Sequence, residues 1–255
     1  MKKILTLFIV LVFIYITVIM LGCSSQTKLI FHPTKLDKAY EYNADLGLEE
    51  VFLSTADGNE INGLFFPDSS SKVILYFHGN AGSLDSWQYV YNDFKSFGHN
   101  FFIIDYRGFG KSTGKISEEG LYIDAQTAYN YLLEKGFKQE HIIIYGRSIG
   151  TGVAVDLASN NGSKALILES PFTNLKKLVS GLYPYLLPSL FLKYEFNNIG
   201  KINKINTPLL VIHGKRDNVI PFKHGLELYQ NYHGEKEFLP IENGQHNNLS
   251  DFPEF

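Results

Sequence analysis

Gly146-Arg147-Ser148-Ile149-Gly150 places one hydroxyl between two glycines. It directly follows an apolar run, Ile142 to Tyr145, and directly precedes a helical pattern carried by Val153, Ala154, Leu157 and Ala158. Where a strand turns sharply into a helix, glycines on either side remove side chains that would collide with neighbouring backbone. The residue between them is then held up at the strand's carboxyl end. The helix that follows aims its dipole and its free N–H groups at the same spot. A serine hydroxyl is a poor nucleophile until a base removes its proton. The implied chemistry is attack by Ser148 on an acyl carbonyl, assisted by a nearby histidine.

Eight histidines compete for that role, and topology sorts them. His99 and His141 precede apolar runs and belong at the opposite edge of a sheet. His224 and His233 fall in a helical stretch after Pro221, and His32 lies near the N-terminal apolar segment. His78 and His213 each end a strand and are followed by glycine, which puts them at the correct edge. His246 follows the last strand across the polar loop Glu242-Asn243-Gly244-Gln245 and can reach back over the site. The chain order of a nucleophile elbow is serine, then acid, then histidine. Only His246 leaves room for an acid after the strand ending at Ile212, so it is the candidate general base. The acid that orients it is expected at Asp217, with Glu242 and Asp105 as rivals. Two backbone N–H groups are needed for the developing oxyanion. One is assigned to Ile149 and the other to the loop His78-Gly79-Asn80-Ala81-Gly82, at Asn80 with Ala81 as the alternative. His78 itself reads as a structural loop residue.

The elements that must position these groups alternate along the chain. Val51 to Leu53 and Ile61 to Phe66 flank Asp57-Gly58-Asn59, a hairpin signal. Val73 to Phe77, Phe101 to Ile104, Ile142 to Tyr145, Ala165 to Leu168, Leu209 to Ile212 and Phe238 to Ile241 read as buried strands. Trp87, Val90, Tyr91 and Phe94 share one helical face, as do Leu121, Ala125, Ala128, Tyr129 and Leu132. Strands alternating with helices predict one α/β domain with a mainly parallel sheet covered on both faces. Residues 172–206 interrupt the rhythm. Leu182 to Leu192 is almost wholly apolar and contains Pro184 and Pro188, so a long unbroken helix is not expected there. This insertion can cap the carboxyl edge of the sheet, where α/β proteins bind ligands, or serve as ordinary core.

The 255 residues carry 23 Lys+Arg and 26 Asp+Glu, a net charge of −3. That balance argues against a nucleic-acid binder with a broad basic surface. The single cysteine excludes an intramolecular disulfide and any multi-cysteine metal cage. After Lys2-Lys3, the run from Ile4 to Leu21 has no charge and only Thr6 and Thr17 as polar residues, and Gly22-Cys23-Ser24-Ser25 follows. The layout is that of a secretory signal, or of a helix just long enough to span a bilayer.

Met20-Leu21-Gly22-Cys23 resembles the bacterial lipobox, with Met20 where leucine is usual. The resemblance implies lipidation of Cys23 and cleavage in front of it. The product would be an exported, membrane-anchored lipoprotein of the cell envelope. Its expected organisation is a signal over 1–22, a membrane-proximal segment over 23–44 and a catalytic domain over 45–255.

His78 to Gly82, Asp105-Tyr106-Arg107-Gly108-Phe109-Gly110-Lys111-Ser112, Gly146 to Gly150, Glu169-Ser170-Pro171-Phe172 and the Asp217 and His246 segments occur in order. Together they resemble the α/β-hydrolase superfamily, in its membrane-associated, serine-aminopeptidase-like branch, whose relatives include depalmitoylating thioesterases. The resemblance implies an α/β-hydrolase fold with an eight-stranded sheet, Ser148, Asp217 and His246 as the triad, and Asn80 and Ile149 as oxyanion donors. It implies no cofactor and no metal, and a structural role for Arg107 to Ser112. The family closes with a helix after the catalytic histidine. Only Asn247 to Phe255 follow His246 here, so the loop carrying it is expected to be less firmly held. The expected activity is that of a serine esterase or thioesterase (EC 3.1 rather than 3.4) on a small acylated or lipid-like substrate. Amide hydrolysis of the aminopeptidase type and an idle, hydrolase-fold binding lipoprotein are the alternatives. A dehalogenase or epoxide hydrolase would need a carboxylate where Ser148 stands.

Overall fold

Val73–Phe77 and Asn100–Ile104 are runs in which every residue is buried. Strands buried on both faces must lie inside a sheet covered by other elements. The computed structural model describes residues 2–186 and 191–255. Among them, eight strands form one mixed sheet: β1 (Glu49–Ser54), β2 (Glu60–Phe66), β3 (Val73–Phe77), β4 (Asn100–Ile104), β5 (Ile142–Arg147), β6 (Ala165–Glu169), β7 (Leu209–Gly214) and β8 (Lys236–Ile241). Their spatial order is β1-β2-β4-β3-β5-β6-β7-β8. The β1–β2 and β2–β4 pairs are antiparallel, and every other pair is parallel. After β3 the chain builds β4 on one side and then crosses to place β5 on the other. The carboxyl ends of β3 and β5 therefore flank a topological switch point, the usual site of a ligand crevice.

The two faces of β3 seed two cores. Val73, Leu75 and Phe77 point into the larger one and Ile74 and Tyr76 into the other, the period of two expected of a strand. The larger core is covered by α2 (Glu118–Glu134) and α3 (Gly150–Asn160). In α2, Leu121, Ala125, Ala128, Tyr129 and Leu132 are all buried, and the Ser117 hydroxyl caps its first turn by accepting the Gly120 N–H at 3.1 Å. On the other face, the helix expected across Trp87 to Phe94 is segmented: Leu84–Trp87 and Tyr91–Phe94 are α-helical and Gln88–Val90 between them is 3₁₀. The buried Gln88 side chain donates to the Asp85 carbonyl at 2.7 Å, occupying an acceptor that a continuous α-helix would give to its own ladder.

The insertion over 172–206 contains α4 (Leu175–Leu182), a 3₁₀ turn at Pro184–Leu186 and a short helix at Asn198–Lys201. α4 stops two residues before Pro184, as the steric effect of proline on the residue preceding it requires. Leu187, Pro188, Ser189 and Leu190 lie outside the described residues. After β7, α5 (Lys223–Asn231) packs back on the sheet.

The N-terminal helix α1 runs unbroken over Lys2–Ile30, through the expected cleavage point and Cys23. Its Lys2–Gly22 portion is apolar enough to cross a membrane and has no buried residue, its contacts with the rest of the chain including a hydrogen bond from the Tyr15 hydroxyl to the Tyr185 carbonyl at 2.7 Å. At about 1.5 Å per residue that length matches a bilayer's hydrocarbon core. The stretch expected as a membrane-proximal segment does not extend away from the domain. Gln26 is buried, Phe31 sits in the larger core, and His32–Pro33 pairs in parallel with Ala81–Gly82.

The residues after His246 pack back on the sheet. Leu249 is buried in a cluster with Ile212 and Ile241, and Leu249–Asp251 forms a 3₁₀ turn.

Candidate active site

Ser148 lies between the end of β5 and the start of α3 with φ of +55°. A non-glycine residue with left-handed backbone is strained, and such strain is held where the surroundings over-determine it. Here the flanking glycines are obligatory: a Cβ on Gly150 would meet the Phe77 carbonyl, and one on Gly146 would meet the Gly150 carbonyl. The Ser148 N–H is pinned to the Glu169 carbonyl at 2.9 Å.

His246 is brought to this serine by the loop after β8, with Nε2 at 2.9 Å from Ser148 Oγ. Its Nδ1 lies 2.8 Å from Asp217 Oδ2. Asp217 sits in the loop after β7, where Oδ1 accepts the Val219 and Ile220 N–H groups, each at 2.8 Å. Burial alone would raise the Asp217 pKa. Hydrogen bonds from His213 and His246 and the Ile220 N–H outweigh it and hold the carboxyl well below the usual range. The group is thus an ionised, fixed acceptor. A chain serine–imidazole–carboxylate can move the hydroxyl proton to Nε2 while the carboxylate stabilises the resulting cation.

The rivals for the acid are placed elsewhere. Glu242 is exposed and paired with Lys215 at 2.6 Å. Asp105 is buried, accepts the Leu84 N–H at 3.1 Å and lies 3.5 Å from His78 Nε2. His78 is itself fully buried behind the loop, with its ring against Trp87. His99 is near Ser70 at the far edge, and His224 is buried against Thr173.

Asn80 and Ile149 both line the cavity in front of Ser148. Among the described residues neither backbone N–H has an acceptor within the protein. Two such donors beside a nucleophile can receive a developing oxyanion. The cavity, of about 390 Å³, is otherwise mainly apolar, with Ile30, Phe172, Leu175, Val179 and Ile220 among its walls. Among the described residues no group of three or more His, Cys, Asp or Glu side chains is arranged to hold a metal ion.

Several supporting contacts were not assigned a role from sequence. His213 Nε2 donates to the Ile220 carbonyl at 2.9 Å and lies 3.5 Å from Asp217 Oδ2. Arg147 and Glu169 pair behind the serine. Both ionic residues end adjacent strands, a signal present in the sequence. The contribution of Ile30, whose carbonyl accepts from Asn80 Nδ2 at 2.6 Å, had no such signal.

The strand order, the strained serine at the switch point and the neighbouring histidine are features of an α/β hydrolase. A family profile described as serine aminopeptidase, S33, matches residues 68–202. Alpha/beta hydrolase domain-containing protein 17B of Xenopus laevis is 37% identical over 222 residues, covering 84% of this chain and 75% of that protein. Its Homo sapiens counterpart is 36% identical over the same shares. A Pyrococcus furiosus esterase superposes with a TM-score of 0.71 at 22% identity, covering 88% of this chain and 92% of its own. The chain belongs to the α/β-hydrolase superfamily, within the serine aminopeptidase S33 family.

Proposed function

We propose that this hydrolase cleaves acyl esters or thioesters through an acyl-enzyme on Ser148. The observation that carries the proposal is the continuous hydrogen-bonded chain from Ser148 Oγ through His246 to Asp217, at 2.9 and 2.8 Å. As Ser148 Oγ attacks the carbonyl carbon, its proton passes to His246 Nε2 and the carbonyl oxygen takes up negative charge facing the Asn80 and Ile149 N–H groups. Collapse of the tetrahedral intermediate expels the alcohol or thiol, which takes the proton from His246. A water then gives its proton to His246, attacks the acyl-enzyme and releases the acid, restoring Ser148.

The lining of the cavity supports ester or thioester over peptide. An aminopeptidase must hold a substrate ammonium group, yet no carboxylate lines the cavity among the described residues, and its one formal charge is the cationic Arg147. Apolar walls suit an acyl chain. The lone cysteine and the apolar helix before it support an exported protein held at a membrane by lipid on Cys23, with residues 1–22 as its signal and a catalytic domain over 45–255.

The test is fluorophosphonate labelling of wild type and Ser148→Ala, joined to a hydrolysis panel of p-nitrophenyl esters, acyl thioesters and aminoacyl amides. The proposal expects labelling lost in the variant and turnover of esters or thioesters. Equal labelling of both proteins removes Ser148 as nucleophile, preference for amides restores the aminopeptidase reading, and no labelling of wild type makes the protein an idle binding module.

A further inference from the structure

The loop that carries the Asn80 N–H is short and built largely of small residues, His78-Gly79-Asn80-Ala81-Gly82. Glycine leaves its peptide planes free to rotate unless something holds them. A flipped plane would aim a carbonyl, not an N–H, at the developing oxyanion. Each carbonyl of the loop is held by a donor. The Tyr106 hydroxyl donates to the His78 carbonyl at 3.0 Å, His78 Nδ1 to that of Gly79 at 2.7 Å, and Trp87 Nε1 to that of Ala81 at 2.8 Å. The other two bonds come from outside the catalytic domain expected over 45–255. The His32 N–H donates to the Asn80 carbonyl at 2.8 Å, and the Thr34 N–H to the Gly82 carbonyl at 2.9 Å.

The same segment grips Asn80 a second time, because Asn80 Nδ2 donates to the Ile30 carbonyl at 2.6 Å. The segment is itself fixed to the domain. Phe31 is buried with its ring edge-on to Tyr194, centroids 5.2 Å apart, and the Thr34 carbonyl accepts the Gly110 N–H at 2.8 Å. All of these residues lie beyond Cys23, so cleavage in front of that cysteine leaves them in place.

We propose that Ile30 to Thr34 form a positioning element of the active site, a strap from the membrane-proximal segment that sets the direction of the oxyanion donor at Asn80. The proposal rests on the Ser148 hydrolase reading and makes the residues next to the membrane anchor necessary for full turnover. The Gly79 carbonyl, held by His78, shares a peptide plane with the Asn80 N–H. The strap fixes Asn80 from its other side, through its carbonyl and its side chain. The Ala81 N–H, the alternative donor, lies in the peptide plane whose carbonyl His32 holds. Whichever N–H receives the oxyanion, the strap's main chain acts through the loop and not on the reacting atoms.

The experiment uses the full-length protein in detergent micelles, with p-nitrophenyl butyrate as substrate and butyl trifluoromethyl ketone as a transition-state analogue. Ser148 Oγ bonds to the ketone's carbonyl carbon, the hydroxyl proton passes to His246, and the π pair becomes an oxyanion facing the loop. The Ki of the ketone therefore reads the oxyanion donors, whereas KM reads the cavity. Asn80→Ala removes the bond to Ile30 and keeps the main-chain N–H. His32→Pro removes the N–H that holds the Asn80 carbonyl. Each variant is expected to lower kcat about 10- to 100-fold, the cost of a donor displaced by a fraction of an ångström to 1 Å. KM should stay within about twofold, and Ki should rise by the same factor as kcat falls. Active sites are counted by fluorophosphonate titration, so kcat is per folded site. A strap that only stabilised the fold would reduce the number of sites and leave kcat and Ki unchanged, and that result overturns the proposal. Loss of kcat with an unchanged Ki overturns it as well. If His32→Pro does not fold, Asn80→Ala leaves the strap's main chain intact and decides alone. A wild type that neither hydrolyses the ester nor binds the ketone overturns the hydrolase reading itself.

Discussion

Arg147 and Glu169 face each other across β5 and β6, with Arg147 Nε 3.1 Å from Glu169 Oε1 immediately behind the candidate nucleophile. Tyr145 donates to the other carboxylate oxygen at 2.8 Å, and the guanidinium lies over the Trp87 ring, 5.4 Å from its centroid. The remaining face of Arg147 is turned to the His246 loop, with Nη2 3.4 Å from Asn247 Oδ1. Burial pushes the Glu169 pKa up, and Arg147 and Tyr145 oppose that rise.

A buried pair of this kind is costly to break and cheap to replace. Removing one partner strands the other charge, at about 3–5 kcal/mol, while exchanging both for apolar residues of similar volume is often neutral. Arg147→Ala is therefore expected to lower the unfolding free energy by about 3 kcal/mol. Arg147→Leu combined with Glu169→Leu is expected to recover most of that loss. Urea unfolding of the three proteins in the same detergent measures it. A double variant as unstable as the single one would show that the charges themselves stabilise this corner.

Asp217 makes two separable predictions from one carboxylate. Asp217→Asn keeps the side chain's size but favours the wrong imidazole tautomer, and kcat is expected to fall by about 10⁴ with little change in the fold. The native carboxyl is held below its unfolded value of about 3.9. Its ionised form therefore stabilises the protein above that pH, and the contribution is lost as pH falls through the lower folded value. Thermal unfolding measured from pH 6 down to pH 2 should show a shallower acid slope for the variant than for wild type.

Much of the fold was legible because its strands are buried on both faces. Val73–Phe77 and Asn100–Ile104 announce themselves as apolar runs, and the chain order of strand, acid and histidine leaves only His246 to meet Ser148 and Asp217. The segmentation at Gln88–Val90 was not legible, since it follows from one amide competing for a main-chain carbonyl. Nor was the docking of the N-terminal segment. His32–Pro33 is two residues long and takes its partner, Ala81–Gly82, from a distant loop, so no local periodicity marks it. The burial of Leu249 beside Ile212 and Ile241 is likewise a tertiary fact that no local pattern marks.

His224 gives the fold a second titration of the same sign, in a higher pH window. It is buried, and its Nδ1 lies 2.9 Å from Thr173 Oγ1. Burial, with the charges of Lys223 and Lys177, pushes its pKa down to about 4. The unfolded chain takes up this proton near pH 6.5. Between those two values the unfolded state binds a proton that the native state does not, so stability falls as pH drops through the window. The cost at pH 4.5 is about 2–3 kcal/mol. His224→Gln, which cannot titrate, should flatten the difference between unfolding free energies measured at pH 7.5 and pH 4.5. An undiminished difference would assign the acid sensitivity to other groups.

Anchoring follows from the same N-terminal helix. The thiol of Cys23 lies outside the described atoms, but its position in the chain sets the geometry. Only Ser24 and Ser25 separate Cys23 from Gln26, which is buried against the domain. A lipid on Cys23 would therefore hold the catalytic domain directly against the bilayer, with no tether to let it diffuse away. Stable attachment takes more than one acyl chain, at about 0.8 kcal/mol per buried methylene, and a diacylglyceryl cysteine supplies that. In cells fed labelled palmitate, the wild-type protein is expected to incorporate label and to begin at Cys23 by mass spectrometry. Cys23→Ala is expected to lose the label and to retain residues 1–22. A wild-type protein that begins at Met1 without label would instead make α1 an uncleaved transmembrane anchor.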